Sequence, residues 1–312
     1  MRRFATRPTP RTVGRKPALS PAGRLARVPA GLPSRPVVGI LHPGAMGASI
    51  GAALKARAGQ VIWAAAGRSY ETSKRAELAD LVAVRDVDEL VRCANVVISI
   101  CPPAAALDVA AEVASFGRPA LYVDANAIAV ETVTEIGHMF GTDSVVDAAI
   151  IGPPAWRAGS TVFWAAGEQA DTVAGLFGGS AVDARVLGKR LGSASALKAC
   201  FALQSKAMPA LWFTLAAAAR EYGVDDAVRS ELRRDGIDLD AELDRITQRA
   251  ATKAWRWSGE MDEAAKVLRA IGLPDGFSSS AAEVYRRVAA VVGEAGGPAT
   301  ATAVEAVRRP ES

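Results

Sequence analysis

The sequence predicts an α/β fold, in which a doubly wound parallel sheet is followed by an all-helical domain. Eight short apolar runs between residues 37 and 186 alternate with helical segments, and continuous apolar runs are typical of parallel strands that are covered on both faces. Beyond about Gly192 the strand signal ends and only helical periodicity remains. The 312 residues are therefore expected to form two moderate domains.

The predicted strands are short runs rich in β-branched residues. They cover Val37–Leu41, Val61–Ala65, Leu81–Val84, Val96–Cys101, Ala120–Asp124, Val145–Ile150, Thr161–Ala165 and Ala181–Val186. Helical segments lie between the runs, as parallel strands require.

The second domain is predicted to contain four helices. They cover Ser193–Tyr222, Asp238–Arg249, Gly259–Ile271 and Ser279–Val292. Glycines between these segments mark the helix ends. We therefore divide the chain into a disordered basic tail (1–36), a sheet domain (37–190), a helical domain (191–293) and a disordered C-terminal tail (294–312).

The formal charge of +4 is concentrated at the N-terminus. Residues 1–36 hold nine of the 37 basic residues and no acidic one, so 28 basic and 33 acidic residues follow, a net charge of −5. An acidic body gives no electrostatic reason to expect a nucleic-acid partner. The tail has too few apolar residues to fold, and we favour a solvated extension over a transit peptide, a nucleic-acid arm or a misread start site.

One long apolar stretch, Leu197–Ala219, could be mistaken for a membrane span. Lys198 and Lys206 would place two charges deep in hydrocarbon, and Pro209 interrupts the pattern. We therefore expect a buried helix and no membrane partner.

The cysteine and histidine counts argue against two further classes of site. Three cysteines and two histidines are too few and too scattered for a disulfide framework or a zinc cluster, so no metal is expected. Cys93, Cys101 and Cys200 are predicted to be reduced, mostly buried thiols of a cytoplasmic protein.

The first strand runs directly into a glycine-containing turn that opens a helix. This turn is formed by His42, Pro43, Gly44, Ala45, Met46 and Gly47. Gly44 and Gly47 stand where a dinucleotide-binding Rossmann turn needs close backbone approach to the pyrophosphate and tight packing of helix on strand. His42 replaces the first glycine of that motif, and it is either a phosphate ligand or an incidental turn residue.

The end of the second strand favours NADP over NAD. The sequence Ala64–Ser69 reads A-A-A-G-R-S, and no acidic residue that could bind a ribose 2'-hydroxyl occurs before Glu71. Arg68 and Ser69 suit a 2'-phosphate instead. The alternative interpretation of Arg68 is a surface arginine in a turn that binds no ligand.

Polar residues also follow the fourth and fifth strands, in S-I-C-P-P (Ser99–Pro103) and D-A-N-A (Asp124–Ala127). Ligands of open α/β sheets bind at the carboxyl ends of the strands. Cys101, Pro102 and Asn126 are therefore expected to border the nicotinamide.

Two further motifs follow, D-A-A-I-I-G-P-P (Asp147–Pro154) and G-S-A-S-A-L-K (Gly192–Lys198). All of these motifs occur in the order that is typical of the β-hydroxyacid dehydrogenase family. The chain resembles this family over about Val37–Val292. That family shares its architecture with 6-phosphogluconate dehydrogenase and the imine reductases. Two C-terminal segments, Lys253–Met261 and Gly272–Phe277, are similar to a poorly characterised branch with its own helical domain.

The resemblance implies an NAD(P)-dependent oxidoreductase, commonly a homodimer, whose essential lysine matches Lys198. The chemistry is consistent with this role, because hydride transfer at a hydroxyl-bearing carbon needs a group that exchanges the hydroxyl proton, and burial lowers the pKa of a lysine. A structural lysine whose charged end reaches solvent is the alternative.

The chain departs from the family pattern at the expected substrate site. Ile151 replaces a serine that helps to hold the substrate carboxylate, and Ala202 replaces an asparagine one turn beyond the lysine. Lys206 could supply a compensating charge and would lower the pKa of Lys198 if the two were close.

We expect the substrate to contact six residues. They are Ile151, Gly152, Pro153, Lys206, Trp257 and Glu260. For the segment Trp255–Glu260, helix packing with an internal salt bridge from Arg256 is an equally good interpretation.

The sequence thus favours an NADP-dependent oxidoreductase that acts on a small hydroxyacid or a related carbonyl or alcohol, with Lys198 as general acid/base. Two alternatives stay open at this point. One is an imine reductase, against which the lysine argues, and the other is a non-catalytic NADP(H)-binding module.

Overall fold

The computed structural model describes residues 32–117, 119–292 and 300–308. An eight-stranded sheet with the order β3-β2-β1-β4-β5-β6-β7-β8 forms the first domain. Its strands are β1 (Val37–Ile40), β2 (Gln60–Ala64), β3 (Val82–Val84), β4 (Val96–Ser99), β5 (Leu121–Asp124), β6 (Val145–Ile151), β7 (Thr161–Ala166) and β8 (Val182–Gly188). The predicted fold class, a doubly wound sheet followed by helices, is confirmed.

The last two strands run against the other six. β7 pairs antiparallel with β6, and β8 pairs parallel with β7. The prediction of a wholly parallel sheet is therefore wrong at this edge. The β6–β7 connection, residues 152–160, contains no helix, and a parallel crossover needs a dozen or more residues.

Helices cover both faces of the sheet. They are α1 (Ala45–Leu54), α2 (Tyr70–Leu78), α3 (Val87–Cys93), α4 (Ala106–Phe116), α5 (Val130–Phe140) and α6 (Ala170–Gly175). Successive strand residues point to opposite faces, so Val96 and Ile98 belong to one apolar cluster while Val97 belongs to the other. Burial on both faces explains why these strands lack polar alternation.

The second domain is helical. Its helices are α7 (Ser193–Ala202), α8 (Met208–Glu221), α9 (Asp225–Arg234), α10 (Leu239–Ala250), α11 (Ala254–Ala270), α12 (Gly276–Val292) and α13 (Thr300–Arg308). Phe213, Leu243, Met261 and Tyr285 lie in its buried core. α9, which has no buried residue, was not predicted.

A π-helical turn, Leu203–Ala207, joins α7 to α8 within the predicted long helix. The Tyr285 hydroxyl donates a hydrogen bond of 2.8 Å to the backbone carbonyl of Lys206. The wider turn disturbs the regular hydrogen-bond ladder, and the tyrosine gives this carbonyl a partner outside the helix.

Both predicted tails need correction. Residues 1–31 lie outside the described residues, but Arg35 donates a hydrogen bond of 2.9 Å to the Ala58 carbonyl, so the ordered chain begins before Val37. At the other end, α13 buries Ala303 and Val304, and Arg287 donates to the Val307 carbonyl at 2.7 Å. The prediction of a disordered C-terminal tail is therefore wrong for residues 300–308.

The cysteines are less buried than predicted. Cys93 and Cys200 are exposed and Cys101 is half-buried, and all three are free thiols. Within the described ranges, no helix is both long enough and apolar enough to cross a membrane.

Candidate active site

A cleft of about 990 Å³ lies between the sheet domain and the helical domain. The sheet domain contributes residues from the α1 N-terminus and from the ends of β4, β5 and β6, including Met46, Cys101, Asn126, Ile151, Gly152 and Pro153. The helical domain contributes residues from α7 to α11, including Lys198, Lys206, Arg256, Trp257 and Glu260. Most of the site residues predicted on separate segments thus meet around one cavity.

Lys198 is positioned by a carboxylate at the start of its helix. Asp147 on β6 accepts hydrogen bonds from the amides of Ala194 and Ser195 at 2.8 and 2.9 Å, and from the Ser195 hydroxyl at 2.7 Å. These bonds cap the N-terminus of α7 and fix the helix to the strand. The sequence analysis assigned no role to Asp147, although an acidic residue inside an apolar strand is a signal that could have revealed it.

The Lys198 ammonium donates a hydrogen bond to the Ile150 carbonyl at the end of β6. Burial lowers the pKa of Lys198 to about 8, with Glu260 opposing this shift and Lys206 and Arg256 adding to it. Lys206 therefore lowers the pKa of Lys198, as the sequence suggested. The neutral amine and the ammonium are both accessible near neutral pH, as an acid/base group requires.

Glu260 is the counter-ion of this cluster. Its carboxylate lies 2.8 Å from the Lys206 ammonium and 3.2 Å from Arg256 Nε, and its side chain is 9% exposed. Burial alone would raise the pKa of Glu260, but Lys206, Lys198 and Arg256 together lower it. The glutamate is therefore ionised, and the internal salt bridge considered in the sequence analysis is present inside the cleft.

The two tryptophans of the same helix differ. Trp257 is buried, packs edge-on against Tyr285 with ring centroids 5.2 Å apart, and lines the cleft. Trp255 is 59% exposed, so only the first of them belongs to the site.

The loop after β6 depends on a glycine. Gly152 has φ of +126°, and a Cβ there would lie 2.3 Å from the Ser160 carbonyl oxygen. Ile151 and Pro153 flank it on the cleft wall. This wall is apolar at the position where the family carries a serine, so its side chains offer a substrate anion no hydrogen bond.

The ends of β4 and β5 are joined by a buried hydrogen-bond network. The Cys101 amide donates to Asn126 Oδ1 at 2.6 Å, and Asn126 Nδ2 donates to Asp124 at 2.7 Å and to Ser99 at 3.1 Å. Burial raises the pKa of Asp124 to about 7, while its bonds from Asn126 oppose the shift. Asn126 is thus engaged with the protein and holds the two loops together at the cleft.

Pro102, which was predicted beside the nicotinamide, is exposed, and its neighbour Pro103 lines the cleft instead. Within this motif, Cys101 and Pro103 therefore face the cleft and Pro102 does not.

The β1–α1 turn has the shape of an anion site. A Cβ on Gly47 would lie 2.1 Å from the His42 carbonyl oxygen, so packing requires the glycine. A Cβ on Gly44 would meet no atom within 4 Å, so this residue faces open space. Gly44 begins α1 without a side-chain cap, which leaves the first amides of the helix free to bind an anion. Pro43 is buried and Ala45 is exposed within the same turn.

Two buried nitrogen atoms beside this turn have no hydrogen-bond partner in the described structure, His42 Nδ1 and Arg68 Nε. Burial, and then the charge of Arg68, lower the pKa of His42 to about 4, so the imidazole is neutral near pH 7. Ser69 begins α2 and accepts a hydrogen bond from the Thr72 amide at 3.3 Å. Unpartnered donors around an open turn fit the phosphates of a dinucleotide.

No His, Cys, Asp or Glu side chains of the described residues come together in a group of three that could hold a metal ion.

Comparison with known proteins agrees with this architecture. Residues 219–288 match a family model described as a domain of unknown function, DUF1932. The chain is 30% identical over 162 residues to an uncharacterized 28.5 kDa protein in the 7S RNA 5' region of Methanothermus fervidus, a match that spans 51% of this chain and 62% of that protein.

Among solved structures, the fold is shared by a conserved protein of unknown function that is described as structurally similar to 3-hydroxyacid dehydrogenases. The two sequences are 26% identical, and the structures superpose with a TM-score of 0.59 over 83% of this chain and all of that one. The 3-hydroxyisobutyrate dehydrogenase of Mycobacterium tuberculosis with L-serine shares the fold at 18% identity and a TM-score of 0.60, over 88% of this chain and all of that one. A conserved hypothetical protein from Sinorhizobium meliloti shares it at 22% identity and a TM-score of 0.64, over 87% and 95% of the two chains. The resemblance to the β-hydroxyacid dehydrogenase family, with a helical C-terminal domain, is confirmed.

Proposed function

We propose that this protein is an NADP-dependent oxidoreductase that interconverts a small hydroxyacid, or a related alcohol, and its carbonyl form, with Lys198 as general acid/base. The observation that carries the proposal is the placement of Lys198. Its ammonium lies in the cleft at the carboxyl end of β6, and its pKa is lowered to about 8. The 26% identical structure described as similar to 3-hydroxyacid dehydrogenases supports the same reaction class.

The β1–α1 turn and its neighbours would hold the cofactor. The free amides at the start of α1 and His42 would bind the pyrophosphate, and Arg68 and Ser69 would bind the 2'-phosphate. The nicotinamide, when bound, supplies or accepts the hydride. The segment between β2 and Glu71 contains no acidic residue that would bind the ribose 2'-hydroxyl of NAD.

Lys198 moves the proton. In the oxidation, the neutral amine of Lys198 would accept the hydroxyl proton as the carbonyl bond forms. In the reduction, the ammonium returns that proton to the oxygen. The Ile150 carbonyl accepts a hydrogen bond from the same nitrogen, which orients the amine toward the cleft.

A homodimer is also proposed. Apolar side chains on α7 and α8 are exposed in the single chain, among them Phe201 at 42% and Leu211 at 61%. Covering them by a second copy would remove apolar area from water.

Replacement of Lys198 by methionine tests the catalytic role. Lys198→Met should lower kcat by about 100-fold or more, because general acid/base catalysis is lost, while the Kd for NADPH stays within about twofold of wild type. The oxidation rate of the wild type should rise with pH and level off above about 8, since only the neutral amine accepts a proton.

A panel of hydroxyacids, aldehydes and cyclic imines with NADP⁺ or NADPH provides the assay. Lys189→Met is the matched control, because Lys189 is an exposed lysine that pairs with Glu168 away from the cleft. Near-normal turnover of Lys198→Met would sink the catalytic assignment. Turnover of imines alone would favour the imine reductase, and an absence of hydride transfer to every substrate would favour the non-catalytic module.

A further inference from the structure

The cleft wall formed by α10 and α11 is strongly basic. Arg245, Arg249, Lys253 and Arg256 follow one another at intervals of four, four and three residues across the corner between the two helices, and all four line the cleft. Arg245 and Arg249 lie one turn apart on the same face of α10, and Lys253 and Arg256 lie at the start of α11. The wall therefore presents four cations to the cavity.

The cleft as a whole is positive in a chain whose body is acidic. Its lining includes six cations, the four of the wall with Lys198 and Lys206, and three anions, Asp238, Glu242 and Glu260, which gives a net charge of +3. Residues 37–312 carry a net charge of −5. The positive potential is thus local to the cavity and not a general property of the surface.

The three anions are already engaged. Glu242 pairs with Arg245, and Glu260 pairs with Lys206 and Arg256. Asp238 accepts hydrogen bonds of 3.1 Å from the amides of Asp240 and Ala241 as the cap of α10. Arg249 and Lys253 therefore have no carboxylate partner among the described residues.

Arg249 and Lys253 are also poised for a ligand. The Arg249 guanidinium lies 5.6 Å from the ring centroid of Trp257, which holds it against the cleft wall. Burial lowers the pKa of Lys253, and the charges of Arg256 and Arg249 lower it further, with Glu260 opposing. Adjacent like charges in a concave site are relieved when an anion binds between them.

An arginine outside the cleft provides a contrast. Arg229, which lies on α9, pairs with both Asp225 and Asp240, so its charge serves the packing of α9 on α10. Arg249 and Lys253 have no such carboxylate partners among the described residues, so their charges are available to a ligand.

We infer that the substrate carries a second anionic group, a carboxylate or a phosphate, in addition to the part that reacts at Lys198, and that Arg249 and Lys253 bind this group. The inference rests on the proposed function, which places the reacting end of the substrate at Lys198.

A matched pair of ligands tests this subsite by binding alone. The full-length protein is titrated calorimetrically with 3-hydroxybutanoate and with 3-hydroxypentanedioate, which differ by one terminal carboxylate. The diacid should bind about tenfold tighter or more, as expected for charge-assisted hydrogen bonds, and higher salt should reduce the difference. A third arm with 3-hydroxy-4-phosphooxybutanoate distinguishes phosphate from carboxylate recognition.

Variants then locate the recognition. Arg249→Met and Lys253→Met should each remove most of the preference for the diacid and leave the affinity for the monoacid unchanged. Arg233→Met, which removes an exposed arginine of α9 that does not line the cleft, should keep the wild-type preference.

The inference would be overturned if the two acids bound equally well, or if neither bound measurably at millimolar concentration. It would also be overturned if the Arg249→Met/Lys253→Met double variant kept the preference for the diacid. Hydride transfer is measured separately. Its absence beside a clear diacid preference would refute the proposed oxidoreductase and leave the anion subsite standing.

Discussion

The proposed preference for NADP rests on the surroundings of one arginine. Arg68 Nε is buried without a hydrogen-bond partner in the described structure, and it follows the strand end at which an acidic residue would bind an NAD ribose. The same charge lowers the pKa of His42, after burial. Burial, with the Arg68 charge adding to it, thus keeps the neighbouring imidazole neutral near pH 7.

Replacing Arg68 should therefore change which cofactor binds. Arg68→Ala is expected to weaken NADPH binding by about tenfold or more, because a charge-assisted hydrogen bond to the 2'-phosphate is lost, and to leave NADH binding within about twofold. Fluorescence titration with both cofactors measures this. Arg75→Ala, at an exposed arginine of the following helix, is the control. Equal affinity of the wild type for NADPH and NADH would contradict the assignment.

At the scale of the element, the π-helical turn between α7 and α8 places Lys206 in the site. The turn lies between the two helices, and it lets the Lys206 ammonium lie 2.8 Å from the Glu260 carboxylate. At the same time, α7 presents Lys198 to the Ile150 carbonyl. The Tyr285 hydroxyl on α12 holds the Lys206 carbonyl at 2.8 Å. A hydrogen bond from one helix thus stabilises an irregularity in another that serves the cleft.

Loss of the Tyr285 hydroxyl should cost stability and disturb the site together. Tyr285→Phe leaves the buried carbonyl without its partner, which is expected to lower the free energy of unfolding by about 1–3 kcal/mol. The displaced Lys206 should also shift the pH profile of turnover, since its charge lowers the pKa of Lys198. Urea denaturation and pH–rate profiles measure both effects. Tyr222→Phe, at a side chain 81% exposed, should be neutral, and a wild-type stability of Tyr285→Phe would contradict this account.

The elements also show which features a sequence can reveal. Apolar runs predicted all eight strands of the described residues. Burial on both faces leaves a continuous hydrophobic signal in the central strands, whereas the edge strands β3 and β8 are largely exposed. The apolar runs could not reveal the direction of β7, which depends on whether residues 152–160 form a crossover. Five residues of π-helix are too few to alter an apolar period, and the short α13 was overlooked although Ala303, Val304, Ala306 and Val307 form its buried stripe.

For the molecule as a whole, the site depends on contacts between the two domains. Motifs along the chain predicted Lys198 and much of the sheet-domain wall of the cleft, because each motif follows a strand end or opens a helix, but they did not predict the basic residues of α10 that line the opposite wall. Even where a residue is conspicuous in the sequence, its partner in a distant segment leaves no local signal. The capping of α7 by Asp147 and the bonding of Glu260 to Lys206 are of this kind, and they position and charge the site.

Glu263 makes a further contact of this type. Its carboxylate on α11 accepts a hydrogen bond of 2.8 Å from the Ala129 amide, the residue that begins α5 in the sheet domain. Its other oxygen lies 2.7 Å from the Lys266 ammonium. The carboxylate therefore satisfies a buried helix N-terminus from the other side of the domain boundary.

Glu263→Ala should lower the free energy of unfolding by about 1–3 kcal/mol, because the Ala129 amide is left buried without an acceptor. The same change should raise KM more than it lowers kcat, since the spacing of the two cleft walls is loosened while Lys198 keeps its cap on Asp147. Glu263→Gln retains an acceptor oxygen and should recover most of the stability. Urea denaturation and steady-state kinetics test this, with Glu135→Ala at an exposed position of α5 as the control. If Glu263→Ala unfolds at the wild-type urea concentration, the two domains are held together by apolar packing and not by this bond.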